Sequence, residues 1–517
     1  MDDLSRLNPV FNNDFKNGYA VLLPAITHSY HGKQENLQFL GDKAAFHYKW
    51  GLVSAGQFLN ANLKPKSDPM IDDRDRNSTF ILADSGGFQV AKGTWDYDVR
   101  KATAKQREEL CQKVINWQVD HIGANVAVTL DIPTETIKAT KGVNVGVTFQ
   151  DCLDATLRNH ETWERLLKRK PNDALFLNVM QGDKHNEREE WYEAVKNVSY
   201  TKGWAISLRA FGADNKGESL FGEILYFISW LKRDNLLKDC KHLHFLGETS
   251  LRTGMALTII MRRLQKYSPG LMVTFDSSTP FVDGLRFGKV YHTWGFGSSK
   301  QTQDIEDDVE NLSSGESEHY TSDIKVRSDV SAWIDKLQLG SIKQIPKGLP
   351  FWTVTSPVTR HLKVGDIQGG KGKYGFSQVG SAIIAVHNLY VWLLANLQMN
   401  RLLDHYLANN TLYDLPIEYD QFSKAVDKVL KAQNPDKVIY EQSSSKLLHF
   451  MNQTMVNEQE YAVRIEKFNG KKAILEEMAK INSEAGRNAR KALQRQGAIV
   501  NDETECYDFD TWSNDDA

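Results

Sequence analysis

No apolar run in this chain approaches the roughly 20 residues needed to cross a bilayer, so no membrane anchor is expected. The opening residues, Met1-Asp-Asp-Leu-Ser-Arg6, lack the basic start and apolar stretch of a secretory signal. Cysteine is scarce. Cys111, Cys152, Cys240 and Cys506 lie far apart and form no C-x-x-C pair, which argues against a disulfide framework and for reduced thiols in a cytoplasm. Charge of one sign is missing as well. With 63 Lys and Arg against 66 Asp and Glu, the net charge is −3, so affinity for a polyanion must be sought in local clusters. There is no internal repeat.

What is present is an ordinary globular composition, 41% hydrophobic and 25% charged. At 517 residues the chain exceeds one core, and two or more structural units are expected. Between about Gly18 and Trp294, apolar runs of strand length alternate with stretches of helical period. The strand candidates are Tyr19–Pro24, Phe80–Ala83, Val126–Leu130, Leu175–Met180, Trp204–Leu208, Leu243–Leu246, Met272–Phe275 and Val290–Thr293. Helix candidates between them include Lys105–Ile122, Phe149–Lys168, Glu187–Val198, Gly222–Leu237 and Thr253–Gln265. Strands that are continuously apolar are buried on both faces, which implies a parallel sheet. The expected fold class is therefore α/β, a (β/α)8 TIM-type barrel, with a doubly wound open sheet as the alternative.

The polar residues favour the barrel. Asp84, Asp131, Gln181, Ser207 with Arg209, Gly247 and Asp276 each fall at or just past the C-terminal end of a different strand candidate. In a barrel those ends converge on one bowl; as plain helix caps they would be unremarkable. Two carboxylates on strand ends, Asp84 and Asp276, are the minimum equipment for chemistry at a sugar C1′, one attacking and the other shuttling a proton.

The barrel unit is expected over residues 1–400, with a polar linker and insertion at about 297–378 before its last helix. Residues 297–323 are rich in Ser, Asp and Glu and read as a linker or mobile loop. Order is expected to return at Val326–Leu339. A Gly- and Lys-rich stretch, Lys363 to Gly375, then precedes an apolar helix candidate, Ser381–Asn396. Residues 401–517 read as a mainly helical region with an acidic tail, Asp502–Ala517. There Arg487, Lys491 and Arg495 fall at i, i+4 and i+8, forming one basic stripe suited to phosphates or simply to solvent. Lys371 and Lys373 could likewise approach a polynucleotide strand.

Four motifs carry a resemblance. Asp84-Ser85-Gly86-Gly87-Phe88-Gln89 resembles the signature of the tRNA-guanine transglycosylases, a barrel family that exchanges guanine for a 7-deazaguanine base. Gln181-Gly182 after an apolar strand resembles that family's V-Q-G element, and Phe275-Asp276 its nucleophile strand. Ser381 to Leu394, containing His387-Asn388-Leu389-Tyr390, resembles its C-terminal barrel helix. The matches run in the family's order over roughly residues 15–400.

The resemblance implies that Asp276 is the nucleophile forming a glycosyl-enzyme intermediate and Asp84 the general acid/base. It implies that Asp131 and Gln181 read the Watson–Crick edge of the base, the carboxylate accepting from N1–H and the exocyclic amine while the amide donates to O6. Phe88 and Leu246 would sandwich the ring. Ser85, Gly86, Gly87, Gly182 and Gly247 would line the base site. Ser207-Leu208-Arg209 stands where the family has a Gly-Gly-Leu turn, so Arg209 could contact a phosphate or the 7-substituent instead. The family's zinc cysteines, a C-x-C-x-x-C run, have no counterpart in Phe351 to His361. No structural zinc and no cofactor are expected. Packing around Trp352, Tyr390 and Trp392 would replace the metal, and His387 would be a hydrogen-bonded helix residue.

These departures, with the long C-terminal region, are more similar to the related transglycosylases of phages and bacterial DNA-modification clusters. The implied reaction is insertion of a base such as 7-cyano-7-deazaguanine into DNA, altering its restriction sensitivity, in a host cytoplasm if the chain is phage-encoded. The implied partners are DNA, with tRNA as the alternative, and the free 7-deazaguanine base; a homodimer or partner proteins of a DNA-modification system stay open. Two readings of other classes compete: a non-catalytic nucleic-acid-binding subunit, for which a nucleophile is superfluous, and a retaining glycosidase, for which a base-reading pair is superfluous.

Overall fold

A computed structural model describes residues 14–30, 34–207, 220–247, 251–287, 289–291, 295–298, 320–323, 328–329, 347–348, 356–370, 375–409 and 417–443. Eight parallel strands form its centre: β1 (Val21–Pro24), β2 (Trp50–Ser54), β3 (Phe80–Asp84), β4 (Val126–Val128), β5 (Leu175–Met180), β6 (Thr201–Ser207), β7 (His242–Leu246) and β8 (Met272–Ser277). Their spatial order is β1-β8-β7-β6-β5-β4-β3-β2. The last gap is bridged where the Ile26 N–H donates to the Leu52 carbonyl at 2.9 Å. This is a nearly closed (β/α)8 barrel.

The helices that follow the strands are α1 (Gly87–Ala91), α2 (Ala104–Asn116), α3 (Phe149–Arg169), α4 (His185–Val195), α5 (Leu220–Arg233), α6 (Leu251–Leu264) and α7 (Thr279–Phe287). After them come α8 (Gln378–Asn409), α9 (Ile417–Lys431) and α10 (Pro435–Ser443). Helices α2 and α3 start on capping boxes. Thr103 accepts from the Gln106 N–H at 3.3 Å and Gln106 answers at the Thr103 N–H. Thr148 accepts from the Asp151 N–H at 3.1 Å, with Asp151 answering likewise. Each box satisfies helix-end donors that would otherwise be orphaned. Beyond α2 the chain continues as a π-helix, Trp117–Ile122. It carries Gln118 under the sheet, where the amide donates to the carbonyls of Ala83 and Val128, both at 2.9 Å.

One strand was assigned to the wrong segment by sequence pattern. Lys289–Val290 does not enter the barrel; it pairs antiparallel with Ser328–Asp329. The place is taken by β2, whose Gly51 is closely overlaid by Ile26 and Ile81. A glycine in a five-residue run obscured its strand character. Nor are the ends of the polar segment 297–323 free loop, because Gly295–Ser298 pairs antiparallel with Tyr320–Asp323.

Helix α8 crosses residue 400. By length and composition its Gln378–Arg401 portion could span a membrane, yet 78% of its apolar window is buried inside the protein, chiefly against α6 and α7. Helices α9 and α10 pack on the barrel's own helices. Phe422 meets Phe221 edge-on at 5.2 Å, and Arg263 reaches Asp427 at 3.1 Å.

Candidate active site

Strands end together at the C-terminal mouth, and the register places their last residues side by side. Ser54 is opposite Asp84, Ser207 opposite Leu246, and Leu23 opposite Asp276. The two carboxylates proposed to do chemistry thus stand at the C-terminal ends of β3 and β8, Asp84 last in its strand and Asp276 one residue before the end of its own. Among the described residues, Asp84 Oδ2 accepts from the Ser54 hydroxyl at 2.6 Å. Burial raises the Asp84 pKa and the charge of Asp276 raises it further, against the opposing pull of the Ser54 hydroxyl, the Gly86 N–H and His244. A carboxyl held in its neutral form for longer is suited to give a proton away.

Asp276 is 8% exposed. Its Oδ1 accepts the Gly247 N–H at 2.7 Å, and Gly247 adopts φ +74°, where a side chain would be strained. Asp276 Oδ2 has no hydrogen-bond donor among the described residues.

The Asp131 and Gln181 side chains also meet. Gln181 Nε2 donates to Asp131 Oδ2 at 2.8 Å, and both residues are buried. Burial lifts the Asp131 pKa to about 7, opposed by the Gln181 bond and assisted by Asp84. The turn after β3 brings α1 hard against this pair. Gly86 takes φ +80°, and a Cβ on Gly87 would lie 2.8 Å from the Asp131 carbonyl oxygen. Ser85 is fully buried, and Phe88 is 48% exposed with Lys92 Nζ 4.9 Å above its ring. Phe88 is therefore free to stack rather than committed to barrel packing. Leu246 is partly buried at the end of β7.

The loop carrying Gln181 is clamped from below by a residue that motif reading did not single out. Buried Arg188 donates to the carbonyls of Gly182 at 3.2 Å and Asp183 at 3.0 Å, and its Nε pairs with Glu223 at 2.9 Å. A Cβ on Gly182 would lie 2.7 Å from the Arg188 backbone nitrogen. Ser54 was missed together with β2, and its signal was the same as elsewhere: a small polar residue ending an apolar run. Leu208, Arg209, Lys371, Lys373, Arg487, Lys491 and Arg495 lie outside the described residues.

No protein-family model matches the chain, and no curated protein matches it.

His387 is fully engaged by hydrogen bonds. Nδ1 lies 2.7 Å from Ser356 Oγ and 3.4 Å from Thr359 Oγ1, and Nε2 lies 2.7 Å from the Tyr291 carbonyl. Burial pushes its pKa down to about 4, so the ring is neutral and Nε2–H donates to that carbonyl. Among the described residues, no group of three or more His, Cys, Asp and Glu is placed to hold a metal.

Proposed function

We propose that this protein is a DNA-guanine transglycosylase that exchanges guanine in DNA for a 7-deazaguanine base, such as 7-cyano-7-deazaguanine, through a covalent aspartyl-glycosyl intermediate. The observation that carries the reading is the meeting, at one barrel mouth, of a carboxylate pair with a buried Asp–Gln pair. A glycosidase needs the first pair and has no use for the second.

The mechanism follows from what each group offers. The target guanine leaves the stack, since C1′ and its glycosidic nitrogen are inaccessible within a duplex. Asp131 and Gln181 hold its edge and Phe88 covers its face. Asp276 Oδ2 attacks C1′ while neutral Asp84 protonates the departing base, so the glycosidic C–N bond breaks as the ester C–O bond forms. The incoming 7-deazaguanine then loses its proton to Asp84, attacks C1′ and expels Asp276. Two displacements give net retention.

DNA is favoured over tRNA by the departures from the tRNA enzymes: Ser207-Leu208-Arg209 at the base turn, and Ser356 and Thr359 on His387 in a segment without cysteine. The test is incorporation of labelled 7-deazaguanine bases into DNA and tRNA offered side by side, with Asp276→Ala as the blank. Label in DNA supports the reading, label in tRNA alone overturns the choice of polymer, and label in neither overturns the activity.

A further inference from the structure

Strands β7 and β8 carry polar residues at interior positions, where an ordinary barrel packs branched aliphatics. His242 and His244 alternate with Leu243 and Phe245, and Thr274 alternates with Val273 and Phe275. All three polar residues are buried. His242 Nε2 lies 2.7 Å from Thr274 Oγ1, and the same oxygen lies 2.8 Å from His244 Nδ1. The far nitrogen of His244, Nε2, lies 3.4 Å from Asp276 Oδ1. Among the described residues it makes no hydrogen bond, the approach to Asp276 included. His242 is stacked on Phe80, centroids 6.2 Å apart.

A threonine hydroxyl has one hydrogen, so Thr274 donates to one imidazole and accepts from the other. If it donated to His242 and His244 carried a single hydrogen, that hydrogen would sit on Nδ1 and a bare lone pair would face the carboxylate. If it donates to His244, the hydrogen of His244 sits on Nε2 and faces Asp276, and His242 supplies its own Nε2–H to Thr274. A His244 ring carrying both hydrogens likewise turns Nε2–H toward Asp276. The charged groups around His244 are Asp276 on its own side of the mouth and Asp84 across it, whose carboxyl feels the His244 ring; His242 is kept neutral by burial, its pKa pushed down to about 3.

We propose that His244 is the positioning residue of the nucleophile: an imidazole, held from its far side by Thr274 and His242, that directs Nε2–H at Asp276 Oδ1. With Gly247 N–H on the same oxygen, Oδ1 is held, and Oδ2 is the attacking atom. The 3.4 Å separation is of the kind that tightens once substrate is bound. This inference rests on the assignment of Asp276 as nucleophile.

Two measurements separate its failure from that of the transglycosylase reading. The first needs no activity: 15N spectra of histidine-labelled full-length protein, with His244 assigned by its loss in His244→Phe. The expected signal is a protonated Nε2. An unprotonated Nε2, its hydrogen on Nδ1 alone, overturns the proposal. The second is the pH profile of base exchange. His244→Phe should lower turnover by about 10–100-fold, the usual worth of a group that orients a reactive ligand. It should also shift the acid limb to higher pH, because Asp276 without its donor protonates more readily, while affinity for the free base is unchanged. His244→Gln, which keeps an N–H near the Nε2 position, should recover most of the rate and return the limb. Wild-type turnover in His244→Phe with an unmoved acid limb overturns the proposal. If wild-type protein exchanges no base on any polynucleotide, the transglycosylase reading falls, and the spectra still decide the state of His244.

Discussion

Asp131 is the residue whose chemistry depends most on pH. Its pKa of about 7 means that near neutrality it passes from a carboxyl that donates to a carboxylate that only accepts. A guanine-type edge needs the acceptor, so affinity for free 7-deazaguanine should rise as pH is raised through about 7 and level off above it. Calorimetric titration at intervals across that range checks this, and Asp131→Asn should bind weakly and without the pH step. The same shift acts on stability in the opposite sense. The folded state holds a proton on Asp131 that the unfolded chain has released above ~4, so this group's contribution falls as pH rises between ~4 and about 7. Asp84→Asn should slow exchange by about 10²–10⁴-fold and leave base binding measurable, as expected when a proton shuttle is removed. At this scale much of the site was legible. Asp84, Asp131, Gln181 and Asp276 each interrupt an apolar run at its end, and burial on both strand faces makes such an interruption informative. His244 and Thr274 were not legible, because a polar residue inside a strand looks the same whether it weakens the strand or lines a barrel interior.

Among the elements, the turn from β3 into α1 is the most constrained. Gly87→Ala would set a methyl against the Asp131 carbonyl, 2.8 Å from its oxygen, and should abolish base binding while leaving the fold intact; titration with free base and circular dichroism check the two halves. The loop after β5 depends on Arg188. Replacing it by Met leaves Glu223 in the interior with the His185 ring at 3.0 Å, so it should destabilise by less than the about 3–5 kcal/mol lost when a buried charge keeps no partner. A denaturant midpoint that does not move would contradict that role. Helix positions were readable from their helical period, Lys105–Ile122 and Phe149–Lys168 falling on α2 and α3, and the caps Thr103 with Gln106 and Thr148 with Asp151 mark their starts in the structure. Strand identity was less readable. Trp50–Ser54 hides a glycine needed for close packing, while Val290 and its neighbours have the apolar look of a barrel strand and belong to an antiparallel pair. Hydrophobic pattern reports burial, not which sheet does the burying.

Across the whole molecule, the barrel and the helices after it form one packed body. Helix α8 wedges against α7, and His387 ties three stretches of chain together through Tyr291, Ser356 and Thr359. Because that ring stays neutral in the folded state down to about pH 4 and ionises near 6.5 when unfolded, its contribution to stability is lost as pH falls from 6.5 toward 4. His387→Asn should therefore be less stable than wild type at neutral pH and should show a shallower decline on acidification, measured as unfolding midpoints at several pH values. The fold class was legible at this scale because successive crossovers between parallel strands leave few topologies open. Which polymer the proposed reaction would act on was not, since a surface that reads a nucleic-acid backbone is distributed over many side chains and carries no short motif.

The most direct test of the account is to trap the reaction halfway. Full-length protein would be mixed with guanine-containing DNA without an incoming base, quenched in denaturant, and digested for peptide mass spectrometry. The account predicts a DNA adduct on the peptide bearing Asp276, absent in Asp276→Ala and discharged when a 7-deazaguanine base is added. An adduct on any other residue, or base exchange that persists in Asp276→Ala, would contradict it.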